Sequence, residues 1–517
     1  MDSNTSSLAM FPQPLLDALA GDPDGIAFEH GARTVTRGEV LDTIAHLAAG
    51  LDRAGVGPGH GVGVLTSLTP ESFAAYLAAL AVGARVVGVS PGYTDTQRAH
   101  VLRAGINTVI VDPTVDLNLI DTGHPTQVLS LGPCEGAADL LAPTENDPPL
   151  VVRGRPDDVA RLIYTSGSTG LPKGCIQTYH AVSSRWAFQP SRWTPEVTAL
   201  ADAIRRYLLA GTLASVVIMD QVVLCLLAGG TVVIPTGDLS SLFPHGIQQY
   251  RITSLFLPVS RVNRIVDIVR REDVDTSSLR ALSVSGSPTS AHQFVDAISV
   301  LGPIMHNVYG QSESGVISIL TPADVAKWGA DALSSVGRVH ADAEVEIRDP
   351  EGNSVPQGQI GEVLVRSPSM MSGYWNEPEL TEQALVDGWL RTRDLGYFDE
   401  HGLLHLVGRT RDVIIVNAQI CYAGAIEDVL SRSADVLEAH VIGTPDDTTG
   451  EAIHAFVVPV GDTDPDLTAL AARVRTELGE INVPSTLTVV RDVPQTVSGK
   501  PDKPALLARY QGAIQQT

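Results

Sequence analysis

The chain has 517 residues, 44% of them hydrophobic and 18% charged, and carries a net charge of −24. That length exceeds one simple core and implies two or more domains. The acidity excludes a nucleic-acid surface or an anionic membrane as the main partner, so a phosphate-bearing ligand must be held by local cations. Four cysteines, Cys134, Cys175, Cys225 and Cys421, are scattered without metal or redox spacing and do not make a disulfide framework. Met1-Asp2-Ser3-Asn4 lacks the basic start of a signal peptide. The longest apolar run, Leu208 to Met219, is too short for a membrane span and ends at Asp220. The expectation is a soluble, cytoplasmic protein.

From residue 12 to 150 the pattern alternates helices and strands. Ser72 to Ala84 is Ala/Leu-rich and reads as a helix; Arg85 to Ser90 and Thr108 to Val111 read as short apolar strands. Such alternation predicts a mostly parallel α/β layered fold. Leu131 to Asp158, rich in Pro, Gly and acids, reads as a surface connection. Ile252 to Leu257 is a strand, Val262, Ile265, Val266 and Val269 share a helical face, and Leu282 and Val284 lie on a strand running into Gly286-Ser287-Pro288. Val345 to Ile347 and Val363 to Val365, parted by turns, suggest a β-rich subdomain. From about Asp412 the chain starts afresh, with strands Ile414–Val416, Ala439–Ile442 and Ile453–Val460 and helices Ile426–Leu430 and Asp466–Leu478. Asp464 is the expected N-cap of the last helix, Pro465 its first position and Gly479 its end.

The chemistry centres on Leu162 to Gly174, Leu-Ile-Tyr-Thr-Ser-Gly-Ser-Thr-Gly-Leu-Pro-Lys-Gly. Hydroxyls of Thr165, Ser166, Ser168 and Thr169, the backbone of Gly167, Gly170 and Gly174, and the cation of Lys173 together suit phosphate oxygens. Pro172 stands where a Walker loop needs glycine before its lysine, so this is a different phosphate loop. Further on come Asn307-Val308-Tyr309-Gly310-Gln311-Ser312-Glu313, then Asp387-Gly-Trp389-Leu-Arg-Thr-Arg-Asp394, then Gly408-Arg409-Thr-Arg-Asp412, and finally Ser498-Gly499-Lys500 near the end.

Tyr164 to Gly174 resembles the phosphate loop of the adenylate-forming superfamily, which holds acyl-CoA synthetases, peptide-synthetase adenylation domains and firefly luciferase. The later segments match that superfamily's motifs in order, and the resemblance covers essentially the whole chain. It implies a large N-terminal domain of layered α/β sheets with a β-rich subdomain (residues 1–408), a hinge at 409–412, and a small mobile α+β C-terminal domain (413–517). It implies ATP, Mg²⁺ and CoA as cofactors and co-substrates. Thr165, Ser166, Gly167, Ser168, Thr169, Gly170, Gly286, Ser287, Asn307, Tyr309, Gly310, Gln311, Ser312, Asp394 and Arg409 would hold ATP or AMP. Lys500, Glu313, Lys173 and Arg409 are the implied catalytic residues, Glu313 and Thr169 the metal ligands, and Asp412 the hinge. Magnesium suits this arrangement, since it takes few hard oxygen ligands and keeps phosphate oxygens among them.

Two departures qualify the resemblance. Asn417 and Ala418 stand where relatives often show Gly-Gly facing the thiol step, so a chain performing one half-reaction is an alternative. In the acid-binding region, Leu208-Leu209-Ala210-Gly211-Thr212 replaces an aromatic or histidine gate. Leu209, Gly211, Thr212 and Gly310 therefore outline a roomy apolar acyl pocket, unless the residues only pack a helix. Asp220 does not match the aspartate that binds an amino acid's amine. The expected function is an ATP-dependent acyl-CoA ligase for a bulky apolar acid. The alternative is a stand-alone adenylating enzyme that loads an acyl carrier protein. A homodimer is compatible with either.

Overall fold

The computed structural model describes residues 8–120, 127–145, 147–165, 171–237, 243–286, 291–410, 412–417, 419–446, 448–496 and 500–514. Four sheets organise the chain, of nine, eight, five and five strands. Together they form the large N-terminal α/β domain and small C-terminal domain that the sequence implied.

In the nine-stranded sheet, Met305–Gln311, Ala281–Ser285, Ser254–Pro258, Arg206–Leu208, Thr231–Ile234 and Ile26–His30 run parallel. Most of their residues are buried; Thr231–Ile234 is apolar nearly throughout, while Ala281–Ser285 alternates Leu282 and Val284 with Ser283, which is buried as well. Gly315–Leu320 turns back antiparallel on Met305–Gln311. The eight-stranded sheet centres on Gly61–Leu65, Arg85–Gly88, Thr108–Val111 and Val159–Thr165, and its far edge adds Lys173–Thr178 and Gly373–Tyr374. One large core lies between these two sheets. The Ala/Leu-rich segment forms the helix Pro70–Ala81, capped by the Thr69 hydroxyl on the Ser72 amide. Every residue of it except Glu71 is buried, which is the pattern of a helix packed on all sides.

The β-rich subdomain is an antiparallel sheet of Glu344–Arg348, Gly361–Arg366, Trp389–Phe398, Leu385–Val386 and Leu404–Arg409. The last sheet joins Val413–Val416, Gln419–Tyr422, Gly450–Pro459, Val436–Asp446 and Thr486–Val489, with helices Ala423–Ser431 and Leu467–Leu478 on its core. The start of the second helix differs from expectation. Its N-cap is Asp466, which accepts from the Thr468 and Ala469 amides at 2.9 and 3.0 Å. Pro465 precedes the helix, and Asp464 instead receives Arg491 at 2.6 Å. The residue that reaches two orphan amides at once wins the cap.

Candidate active site

Parallel α/β sheets place ligands beyond the carboxyl ends of their strands. Here those ends carry most of the singled-out residues. Val159–Thr165 ends at Thr165, whose register partner across the hairpin is Lys173. The phosphate loop joins these two positions. Ser166, Gly167, Ser168, Thr169 and Gly170 lie outside the described residues, as do Ser287 and Ala418. Ala281–Ser285 delivers Gly286, whose φ of +100° is a left-handed value that favours glycine. Met305–Gln311 carries Asn307, Tyr309, Gly310 and Gln311, with Ser312 and Glu313 in the following turn.

Asp394 is the hub of the best-defined cluster. Asp394 and Arg409 are register partners on adjacent antiparallel strands, so the two motif segments meet by sheet pairing. Arg409 Nε donates to Asp394 Oδ1 at 2.8 Å. Tyr309 Oη and Gln311 Nε2 donate to Oδ2 at 2.6 and 2.7 Å. The Asp394 amide donates to the Thr392 hydroxyl, which donates to the Val363 carbonyl. Burial and the facing carboxylate push the Tyr309 phenol well above its ordinary pKa, so it stays a donor. Burial opposes the charge on Arg409, but Asp394 outweighs it and the pKa ends above the ordinary value.

Glu313 has its own support. Tyr374 Oη donates to Glu313 Oε1 at 2.9 Å. Tyr374 is placed there because Gly373–Tyr374 pairs with Lys173–Thr178, setting Tyr374 opposite Cys175. The Cys175 thiol also hydrogen-bonds Glu313, and burial with that carboxylate beside it pushes the thiol far up. Among the described residues no three His, Cys, Asp or Glu side chains gather as a metal cage. A single oriented carboxylate fits magnesium shared with nucleotide phosphates. Tyr374 lies outside the segments singled out in the sequence, and only the structure gives it a contact with the expected metal ligand.

The small domain contributes Lys500. Its backbone is held in a turn by Thr496, with amide-to-hydroxyl and amide-to-carbonyl bonds of 3.2 and 2.8 Å. Its Cε lies 3.9 Å from the place a Cβ on Gly286 would occupy. Lys500 thus reaches the end of the strand that lies beside Met305–Gln311, the segment expected to hold the nucleotide. Gln293 Nε2 donates to the Leu437 carbonyl at 3.0 Å, a second contact between the domains. The Asp412 amide donates to the Arg409 carbonyl at 3.0 Å, and the Asp412 charge supports that of Arg409.

Of the residues expected to line an acyl pocket, Leu209 is buried, Gly211 has φ +132°, and Thr212 accepts from the Ala214 amide at 3.2 Å. These residues form the connection from Arg206–Leu208 to the helix Val216–Leu227 and are not helical. A Cβ on Gly310 would strike the Gly315 carbonyl, so that glycine shapes its own hairpin. Asp220, inside the helix, is 2% exposed and is forked by Arg185, Nε to Oδ1 at 2.7 Å and Nη2 to Oδ2. Its carboxylate is occupied. The sequence signal for this pair was a lone base and a lone acid in two apolar stretches, charges that burial forces together.

Family models and sequence relatives make the chain an AMP-forming acid–thiol ligase, with Glu313, Asp394, Arg409 and Lys500 as candidate site residues. The chain belongs to the AMP-binding enzyme family: that family's model matches residues 15–375, and the model of its C-terminal domain matches residues 425–500. Its sequence is 30% identical over 505 residues to a medium/long-chain fatty-acid–CoA ligase of Mycobacterium tuberculosis, covering 93% of this chain and 86% of that protein. It is 31% identical over 496 residues to a feruloyl-CoA synthase of Amycolatopsis, covering 92% and 94%. Among solved structures it resembles the amide bond synthetase McbA from Marinactinospora thermotolerans, at 34% identity and TM-score 0.85, covering 96% of this chain and 99% of that one. Among the described residues no helix is long and apolar enough to cross a membrane.

Proposed function

We propose that the chain joins a bulky carboxylic acid to ATP, forming acyl-AMP and pyrophosphate, and passes the acyl group to the thiol of CoA, in the cytoplasm. The observation that carries this reading is Lys500 reaching Gly286, while Tyr309 and Gln311 on the neighbouring parallel strand hold Asp394 and its partner Arg409. Carboxylate and triphosphate repel each other, so catalysis rests on neutralising both and aligning the carboxylate oxygen with the α-phosphorus. Lys500 is positioned to hold the charge that grows between them, Lys173 and the hydroxyl loop to hold phosphate oxygens, and Asp394 to accept from the ribose. Glu313, oriented by Tyr374, would hold Mg²⁺, which supplies charge neutralisation on the phosphates. The fork on Asp220 favours a substrate without an α-amine, because the carboxylate is already paired.

The thiol step in this reading uses a second arrangement of residues 413–517, turned about Asp412 so that the hairpin Val413–Val416/Gln419–Tyr422 meets the site. Two features support it. Ile415 and Ile420, cross-strand partners on that hairpin, are 50% and 59% exposed, an apolar face that the described residues leave open. Asn417, at the turn, has φ +51° and is tied to the Thr449 carbonyl at 2.8 Å. Asn417 and Ala418 also favour a second reading, in which the acyl-AMP is discharged to an amine or a carrier-protein thiol. The structural likeness to an amide bond synthetase supports that option.

Mass spectrometry of the purified chain with ATP, Mg²⁺ and a panel of acids decides between them. Acyl-AMP that becomes acyl-CoA when CoA is added supports the ligase. Acyl-AMP that CoA leaves intact and an amine or a carrier protein consumes supports the second reading. No acyl-AMP from any acid overturns both. Asp412→Pro should slow the thioester step more than adenylation; equal loss in both would remove the hinge.

A further inference from the structure

The parallel strands of the nine-stranded sheet also have a far end, opposite the one that carries Gly286. Arg206, Thr253 and Arg280 stand at or just before the starts of Arg206–Leu208, Ser254–Pro258 and Ala281–Ser285. Together with Glu29, Tyr250 and Arg251 they line a cavity of about 500 Å³. That volume falls within the range of small-molecule sites. Arg280 and Gly286 flank the strand Ala281–Ser285, which at about 3.3 Å per residue sets them roughly 20 Å apart. The cavity is therefore separate from the site that Lys500 approaches. Arg251 and Arg280 are exposed, so a dissolved ligand reaches them.

Three arginines and one carboxylate line this cavity, and the carboxylate is spent. Arg206 Nη1 and Nη2 fork the two oxygens of Glu29, each at 2.8 Å, and Nε donates to the Tyr250 carbonyl at 3.1 Å. The Thr253 hydroxyl fixes the backbone there, accepting from the Arg206 amide at 2.9 Å and donating to the Ala203 carbonyl at 2.8 Å. Arg280 Nη1 donates only to neutral acceptors, the Ser277 and Leu279 carbonyls, at 2.7 and 3.1 Å. Among the described residues neither Arg280 nor Arg251 makes an ion pair. Asp275 feels the charge of Arg251, but its carboxylate accepts from the amide and hydroxyl of Ser277.

Arg251 also sits where its backbone is uncomfortable. The helix His245–Gln249 ends with the Ile252 amide on the Ile247 carbonyl at 3.0 Å, and Arg251 stands just before that closing bond at φ +49°. Glycine ordinarily takes this left-handed terminal position, because a Cβ there is sterically costly. Backbone strain of this kind persists where a side chain has a task. Here the side chain that incurs it lines the cavity.

We infer that this cavity is a second anion site, which binds a dissolved diphosphate group between Arg251 and Arg280, with Arg206 braced behind them by Glu29. A guanidinium forks one phosphoryl group, so two unspent guanidiniums match two linked phosphoryl groups better than one. In a chain of net charge −24 they are the local cations that such an anion requires. The same acidity repels an anionic lipid surface, which makes the ligand a soluble one. The inference does not depend on the proposed reaction, since the cavity lies at the other end of the sheet.

Calorimetry of the whole chain with inorganic pyrophosphate, in buffer free of Mg²⁺, tests it, with sulfate as the single-centred anion for comparison. The unaltered chain should bind pyrophosphate, and sulfate at least about tenfold more weakly. Arg251→Gly and Arg280→Gln should each weaken the pyrophosphate binding about 10- to 100-fold, the loss of a hydrogen bond between charged groups. Lys173→Ala, at the nucleotide end, should leave that binding in place. The melting temperature of Arg251→Gly should hold or rise, because glycine suits the left-handed backbone. No binding of pyrophosphate to the unaltered chain overturns the inference, as does sulfate bound equally well. So does a weakening that follows Lys173→Ala and neither cavity variant, which would place the anion at the nucleotide end. A lowered melting temperature in Arg251→Gly with unchanged affinity would make Arg251 structural and overturn it too. If one cavity variant fails to fold, the other and the sulfate comparison still decide.

Discussion

The two ends of the site handle buried charge in opposite ways. At the nucleotide end, both oxygens of Asp394 are taken, by Arg409 on one side and by Tyr309 and Gln311 on the other. At the acid end, Arg185 forks Asp220 and still has a donor to spare. A closed network tolerates the loss of one member, because the remaining bonds keep each charge paired. An ion pair standing alone does not, because either partner is left buried without compensation. The difference sets how much each cluster loses when one member is removed.

Charge isolation at the acid end gives the largest expected effect. Arg185→Met takes both forked bonds from Asp220, which is 2% exposed, leaving it only the unbonded charge of Arg161, and should cost about 3–5 kcal/mol in stability by denaturant unfolding. Adding Asp220→Leu should restore most of it. If the two losses simply add, the pair is not isolated and the comparison fails. Next comes Lys500→Ala. The residue is exposed, so its melting temperature should hold, while adenylation measured by pyrophosphate release falls about 100- to 1000-fold. A shift in melting with little change in rate would make Lys500 a structural residue.

Much of this was legible in the sequence, for reasons particular residues make plain. Motifs whose chemistry is local, such as the strand running to Thr165 or the strand ending at Gly286, sit where they were expected. The α/β character followed from alternating apolar strands and helices. What sequence could not supply was pairing across distance. Tyr374 meets Glu313 only because a two-residue strand lands opposite Cys175. Asp394 meets Arg409 through antiparallel register, and Arg185 meets Asp220 across 35 residues of chain. The N-cap at Asp466 rather than Asp464 was a local choice between two similar acids, settled by which one reached the amides. The fork of Arg185 on Asp220 was not legible, because neither charge announces its partner in the sequence.

Tyr374→Phe tests a third kind of support, a single hydrogen bond to a functional carboxylate. It removes the hydroxyl at 2.9 Å from Glu313 and keeps the ring. The Mg²⁺ concentration for half-maximal adenylation should rise about tenfold, with the rate at saturating Mg²⁺ much less affected. An unchanged Mg²⁺ requirement would separate Glu313 from the metal or Tyr374 from Glu313.

Tyr309→Phe should have the smallest effect and probes the closed network directly. The phenol donates to Asp394 Oδ2 at 2.6 Å, and burial together with Asp394 keeps it protonated. Without it, Oδ2 retains Gln311 and Oδ1 retains Arg409, so the carboxylate is never alone. The expected loss is about 0.5–1.5 kcal/mol of stability by thermal unfolding. The KM for ATP should rise by no more than roughly tenfold, the same free energy expressed as affinity. Both numbers follow from redundancy rather than from the bond's short length. A loss as large as that of Arg185→Met would mean that Tyr309 alone holds Asp394, and that the nucleotide end is no better buffered than the acid end.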